Sequence, residues 1–318
     1  MSVASAARVT VNQHTAGRRS CYVARFAALI LFAHAPVAFA QELEPGLYLN
    51  APTGVNVVAA NYTFSSGNVL VDSTLPIEGA HAKIHLIALG YVRTLDVLGH
   101  TAKLDVLLPV SWGRFEGVVA DEFRTRSPSG LADPRVRFAV NLVGSPALQG
   151  QGFATYRQRT IIGISLQVAL PLGQYDEERL INLGANRWSF RPEIGLSHKH
   201  DRWLLELAGG AWLFTKNGSY YGHTSLSQRP LYFVKGSAIY TFKRNLWLSW
   251  SYGVATGGET MVEGKFRNDL QKNDRLGATL SLPTGRATSV KIAFISGLAT
   301  RLGGDFDSIG VTYQYTWQ

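Results

Sequence analysis

Few of the chain's reactive side chains stand at spacings that chemistry requires. Beyond residue 40 there are six histidines, His81, His85, His100, His198, His200 and His223. His198 and His200 flank Lys199 at a short polar break, which suits a solvated rim pair, with a metal site as the less favoured alternative. His85 is a candidate for an interior position, yet no serine and acid accompany it in any recognisable motif. Asp176, Glu177 and Glu178 are adjacent, whereas a calcium loop alternates its ligands, so this trio reads as a solvated loop. Gly303-Gly304-Asp305-Phe306-Asp307 reads as a glycine-rich hairpin turn carrying acids. No Gly-x-Ser-x-Gly elbow and no His-Glu-x-x-His pair occurs. The expectation is a protein that is not an enzyme and takes no cofactor and no metal.

The remaining charges follow a different rule. From Arg187 to Ser197 the odd positions are Arg187, Ser189, Arg191, Glu193, Gly195 and Ser197, and the even positions are Trp188, Phe190, Pro192, Ile194 and Leu196. Successive side chains of a strand point to opposite faces, so this segment has one charged face and one apolar face. Arg135 and Arg137 alternate with Val136 and Phe138, and Gln167 with Leu166 and Val168. Twelve such segments recur, near 55–66, 79–95, 101–117, 130–142, 159–172, 187–198, 201–215, 228–242, 245–258, 272–283, 288–300 and 307–317. No helical period of comparable length competes with them.

Two features separate a membrane barrel from a soluble one. Connections alternate between tight turns (96–100, 199–200, 243–244, 284–287) and longer polar stretches (67–78, 118–129, 173–186, 216–227, 259–271), the asymmetry of outer-membrane barrels. One connection, 143–158, is long where a short turn is due, and it leaves room for a short helix or displaced strand ends. Aromatic residues, among them Trp112, Trp188, Trp203, Tyr240, Phe242, Tyr315 and Trp317, sit near strand ends, where interfacial girdles belong. The fold class expected is all-β, a transmembrane antiparallel up-and-down barrel of twelve strands. An even count returns both termini to the periplasmic side, and closure leaves no unpaired edge in lipid.

In such a barrel the polar face lines the lumen. That assignment places Lys103, Asp105, Arg135, Arg137, Gln167, Arg191, Glu193, Glu206, Lys235, Arg275 and Lys291 inside. With seven basic and three acidic members, the set leans positive. Two readings stand: the charges pair across the lumen and brace it, or they impose a weak preference for anionic solutes. Tyr313, Tyr315 and Trp317 form a terminal aromatic pattern suited to recognition by the barrel-insertion machinery, with Gln318 following the last aromatic.

The first forty residues read as a leader rather than as folded protein. They carry Arg8, Arg18, Arg19 and Arg25 with no acid, then the apolar run Phe26-Ala-Ala-Leu-Ile-Leu-Phe-Ala33, then Ala38-Phe-Ala40 before Gln41. This is the order of a secretory signal, and ordinary export fits it better than the twin-arginine route. The expected domains are a signal peptide over 1–40 and an outer-membrane barrel over 41–318, with cleavage near Ala40/Gln41. Removing the leader takes away four arginines and leaves 278 residues with net charge +5 instead of +9. It also removes Cys21, the only cysteine, and with it any disulfide or thiol chemistry. The modest positive charge is no nucleic-acid signal. Outer-membrane lipid, the insertion machinery and small organic solutes are the expected partners.

Several phrases, in order, resemble one family. They are Asn50-Ala-Pro-Thr-Gly54, Ser129-Gly-Leu-Ala-Asp-Pro134, Asn141-Leu-Val-Gly-Ser-Pro146, Pro171-Leu-Gly-Gln-Tyr-Asp176 and Asn186-Arg-Trp-Ser-Phe-Arg-Pro192. Thr256-Gly-Gly258, Asn273-Asp-Arg-Leu-Gly-Ala-Thr279 and Gly303-Gly-Asp-Phe-Asp307 continue the series. Together they resemble the outer-membrane transporter family labelled as the putative MetA pathway of phenol degradation. The resemblance implies an exported barrel associated with uptake of aromatic or other hydrophobic compounds, and it carries no catalytic or binding motif. The leading expectation is a channel for small organic solutes. A structural or surface-interaction barrel with an occluded lumen is the alternative, and an enzymatic barrel would need a catalytic cluster on one rim.

Overall fold

The computed structural model describes residues 43–70, 77–119 and 121–318. The signal peptide expected over residues 1–40 lies outside the described residues. In chain order the strands begin with β1 (Asn56–Leu70), β2 (Ile77–Val97), β3 (His100–Val119), β4 (Glu122–Arg126), β5 (Ser129–Leu131) and β6 (Arg135–Val143). A short helix, α1 (Gly150–Thr155), precedes β7 (Thr160–Ala169), β8 (Ser189–His200), β9 (Trp203–Phe214), β10 (Asn217–Tyr220) and β11 (Thr224–Gln228). The chain then continues through β12 (Leu231–Lys243), β13 (Leu246–Gly257), β14 (Thr260–Val262), β15 (Lys265–Phe266), β16 (Gln271–Pro283), β17 (Thr288–Thr300) and β18 (Gly303–Trp317).

Twelve of these form the wall, in the ring order β1, β2, β3, β6, β7, β8, β9, β12, β13, β16, β17, β18. Every neighbouring pair is antiparallel, and β18 returns to β1 through fifteen register pairs from Asn56↔Trp317 to Leu70↔Gly303. The barrel is therefore closed, and each wall strand has hydrogen-bonded partners on both sides. Lipid offers no donors or acceptors, so closure is what lets strands cross it.

The alternation read from the sequence becomes an inside and an outside. Ile194 and Leu196 are 59% and 41% exposed, while Arg191, Glu193 and Ser197 are 3%, 4% and 0% exposed. Apolar side chains face outward and charged ones inward, the inverse of a water-soluble barrel, because hydrocarbon is the outer solvent. At the end where β1 begins and β18 finishes, Leu98-Gly99 reverses the chain between β2 and β3 with positive φ at both residues, the geometry of a two-residue hairpin turn. The Gly99 N–H donates to Asp96 at 2.9 Å.

The connection 144–159, longer than the other turns at that end, contains α1 and folds against neighbouring turns. Thr101 N–H donates to Ser145 O at 3.1 Å, and Ala147 N–H to Gly99 O at 2.9 Å. Its extra length forms a shelf over which the N-terminal segment passes, with Thr53 N–H bonded to Leu148 O at 3.0 Å.

At the opposite end, stretches expected as polar loops carry structure. β4 and β5 pair with β3 and extend the wall. β10, β11, β14 and β15 form a second, four-stranded sheet joining two loops through the buried Tyr220, Leu226 and Val262. The loop over 170–188 turns back into the barrel. Its Ile181 is buried with inward-facing Val69, Ala82, Ile84, Phe115 and Phe306 from β1, β2, β3 and β18. Asp133 pinches the base of that loop by accepting N–H bonds from Gly173 at 2.9 Å and Ala185 at 2.8 Å. Two of the family-like phrases are thus joined physically: one supplies the carboxylate, another the glycine that approaches it.

Candidate functional site in the barrel lumen

Residues 43–55 belong to no strand. They run from the barrel interior to the rim where β1 begins. Gly46 N–H donates to Glu206 Oε2 at 2.6 Å, and Lys103 Nζ donates to Leu47 O at 2.6 Å. Asn141 Nδ2 donates to Tyr48 O at 3.3 Å, and Glu44 meets Arg137 at 3.3 Å. Two opposite charges of the wall, Lys103 and Glu206, thereby satisfy backbone groups that would otherwise lie buried and unpaired.

Tyr48 is the anchor of this plug. It is 2% exposed, and its hydroxyl donates to Glu193 Oε1 at 3.2 Å and accepts from Ser165 Oγ at 3.4 Å. Burial, with the Glu193 carboxylate beside it, raises its pKa above the ordinary phenol value, so it acts as a neutral donor. The ring lies over Gly163 and Gly195, which face each other across β7 and β8. A Cβ at Gly195 would stand 2.0 Å from Tyr48 Cε2, and one at Gly163 2.4 Å from its Cδ1. Only glycine leaves the socket that the ring fills. Between Leu47, Tyr48, Glu193, Glu206 and Lys235 a cavity of about 10 Å³ remains, room for about one water.

Most inward charges near the plug are paired. Arg137 Nε meets Asp105 Oδ2 at 2.6 Å. Glu193 receives Arg191 at 2.7 Å and Lys235 at 3.1 Å, with its carboxylate fully buried. Arg275 donates to Gly304 O at 2.9 Å, and Lys291 lies 5.8 Å from the Trp247 ring centre. Arg135 and Gln167 are buried at 6% and 4% exposure. Bracing describes the Arg137–Asp105 and Arg191–Glu193–Lys235 groups well.

The terminal aromatics Tyr313, Tyr315 and Trp317 face outward, with the Tyr315 and Trp317 rings stacked 5.5 Å apart. His85 departs from its expected interior position. It sits on the outer face, stacked 5.3 Å from Trp112 and bonded to the Tyr62 hydroxyl at 2.8 Å. His198 bonds Thr160 Oγ1 at 2.8 Å, and His200 is solvated beside Asp201. Glu177 and Glu178 meet His223 at 3.4 Å and 3.5 Å. No group of three or more His, Cys, Asp or Glu side chains among the described residues is placed to hold a metal ion.

A family model described as "Putative MetA-pathway of phenol degradation" matches residues 56–301. The chain belongs to this family. The match begins at the first residue of β1 and ends just after β17, so in this phenol-degradation family member the plug precedes the matched span. No curated protein matches the chain. Among solved structures, the COG4313 outer membrane channel from Pseudomonas putida F1 superposes with a TM-score of 0.72 at 19% identity, covering 87% of this chain and 100% of that one. The likeness establishes the fold, a twelve-stranded outer-membrane barrel. The translocator domain of the autotransporter NalP from Neisseria meningitidis gives a TM-score of 0.47 at 10% identity, covering 92% of this chain and 99% of that one. The KdgM porin gives 0.43 at 10% identity over 82% and 99%.

The plug is the part that sequence reasoning missed. Leu43-Glu-Pro-Gly-Leu-Tyr-Leu-Asn50 has no strand period and no helical one. The available signal lay elsewhere, in two inward positions occupied by glycine on adjacent strands that otherwise carry charged or polar side chains inward.

Proposed function

We propose that this family member is an outer-membrane channel for small organic solutes, aromatic or otherwise hydrophobic. One observation supports this above others: a separate chain segment, residues 43–55, belongs to no strand and lies inside the barrel against inward-facing wall residues. A segment outside the strands can leave without breaking the wall's backbone pairing, which makes it a removable element. In this reading the leader is removed near Ala40/Gln41, and the insertion machinery reads Tyr313, Tyr315 and Trp317. The outward apolar belt then meets outer-membrane lipid, with the turns and termini in the periplasm and the structured loops outside.

The test pairs bilayer conductance with uptake. Purified protein in planar bilayers is expected to give discrete openings, and deleting the gene is expected to slow entry of small aromatic compounds into cells. A sealed protein together with unchanged uptake in the deletion strain would refute transport. A second reading, a structural or surface-interaction barrel, is favoured by the Ile181 cluster and the paired inner charges. It expects a sealed lumen and a defect in envelope integrity or adhesion.

A further inference from the structure

Directly beyond the plug, toward the loops, the inner wall carries a surplus of donors. Ser165 and Glu193, which hold Tyr48, are followed on the same face by Gln167 and Arg191, opposite each other on β7 and β8. Arg191 lies 5.6 Å from the Trp212 ring centre and 5.0 Å from that of Phe233. Arg187, farther out, is 8% exposed and lies 4.5 Å from the Phe214 ring centre.

Four buried nitrogen atoms on these residues have no hydrogen-bond partner among the described residues: Arg187 Nε and Nη1, Gln167 Nε2 and Trp212 Nε1. All four are donors. Arg187 donates from Nη2 to Gln228 Oε1. Asp133, whose charge acts on it, holds two backbone N–H groups with its carboxylate. Burial lowers the Arg187 pKa to about 10, which leaves the group charged at neutral pH. Burying a charge is costly, and with the Asp133 carboxylate engaged by two backbone N–H groups, an acceptor-rich anion is the chemistry that would satisfy the remaining Arg187 donors. Three ring systems, Trp212, Phe214 and Phe233, supply an aromatic surface beside the donors.

We propose that this band, centred on Arg187, Gln167 and Trp212, is a binding site for small aromatic carboxylates. The carboxylate would accept from Arg187 and Gln167, and the ring would lie against the aromatic side chains. The site deepens the transport reading and rests on it for its purpose, since a solute entering from outside meets this band before the plug.

Equilibrium binding tests the site independently of passage. The full protein in detergent is titrated with benzoate, and with benzyl alcohol as a neutral analogue, by calorimetry and by Trp fluorescence. Benzoate is expected to bind at least about tenfold more tightly, as charge-assisted hydrogen bonds discriminate. R187Q is expected to lose about tenfold or more for benzoate and little for the alcohol, while K291Q, whose ammonium lies by Trp247 instead, keeps the wild-type affinity. Should R187Q fail to insert, Q167E tests the same point by placing a negative charge in the band. Equal binding of the two probes, or wild-type benzoate affinity in R187Q or Q167E, overturns the proposal. Benzoate binding by a barrel that conducts nothing would uphold the site and refute transport.

Discussion

Replacing Tyr48 with alanine is expected to release the plug while leaving the wall intact. The phenol ring is 2% exposed and fills the gap over Gly163 and Gly195. Deleting a buried aromatic side chain costs roughly 3–5 kcal/mol. The lower end applies here, because the freed segment regains water for its backbone. Glu193 also keeps Arg191 and Lys235, so no buried charge is stranded. About 3 kcal/mol shifts the docked-to-released ratio by roughly two orders of magnitude, at about 1.4 kcal/mol per tenfold. Y48F keeps the ring and loses only the hydroxyl bonds, so about 1 kcal/mol, or roughly fivefold, is expected. G195A approaches from the other side. Its added methyl would stand 2.0 Å from the ring, so the wall itself expels the plug. Single-channel recording reads the open fraction, with wild type lowest, Y48F slightly higher, and Y48A and G195A much higher. The double variant Y48A/G195A is expected to open no more than either alone, since both remove one contact. Folded, inserted Y48A and G195A barrels with the wild-type open fraction would refute the reasoning.

Three further outcomes follow from other contacts. E193Q weakens the charged partner of Arg191 and Lys235 in a fully buried group, and breaking such a group costs roughly 3–5 kcal/mol; the guanidinium unfolding midpoint of the refolded barrel is expected to fall accordingly. D133A removes both bonds at the base of the 170–188 loop, roughly 1.5–3 kcal/mol for each charge-assisted bond, so that loop is expected to be cut sooner in limited proteolysis. W317K is expected to lower the amount of barrel inserted in cells while changing the stability of what is inserted by only about 1 kcal/mol, as for a charge near the interface; equal membrane levels would exclude an assembly signal.

The wall was legible in the sequence because its physics is periodic. Lipid outside and charge inside oblige every second residue of Arg187–Leu196 to differ from its neighbours, and the same obligation falls on eleven other strands. The outer-loop sheet was not legible, since β10, β11, β14 and β15 are two to five residues long, too short to display a period. The plug was hidden for a different reason. Its contacts run from Gly46, Leu47 and Tyr48 to residues more than fifty positions away, so nothing local marks them. His85 misled through its polarity. Its place on β2 turns it outward, and Tyr62 and Trp112 give it the hydrogen bond and the stacking surface that lipid would not. Which charges of the wall pair depends on cross-strand register, which the alternation of a single strand does not carry.

The seam between β1 and β18 sets the schedule on which this protein can exist. Asn56 pairs with Trp317, so the two edges that complete the wall are among the first and the last residues of the barrel to leave the ribosome. No intermediate length of chain can satisfy both edges, and each would present open backbone ready to pair with another molecule. Pairing at such sequence separation is slow, and the exposed period is correspondingly long. Closure of the wall therefore waits on the synthesis of its final strand.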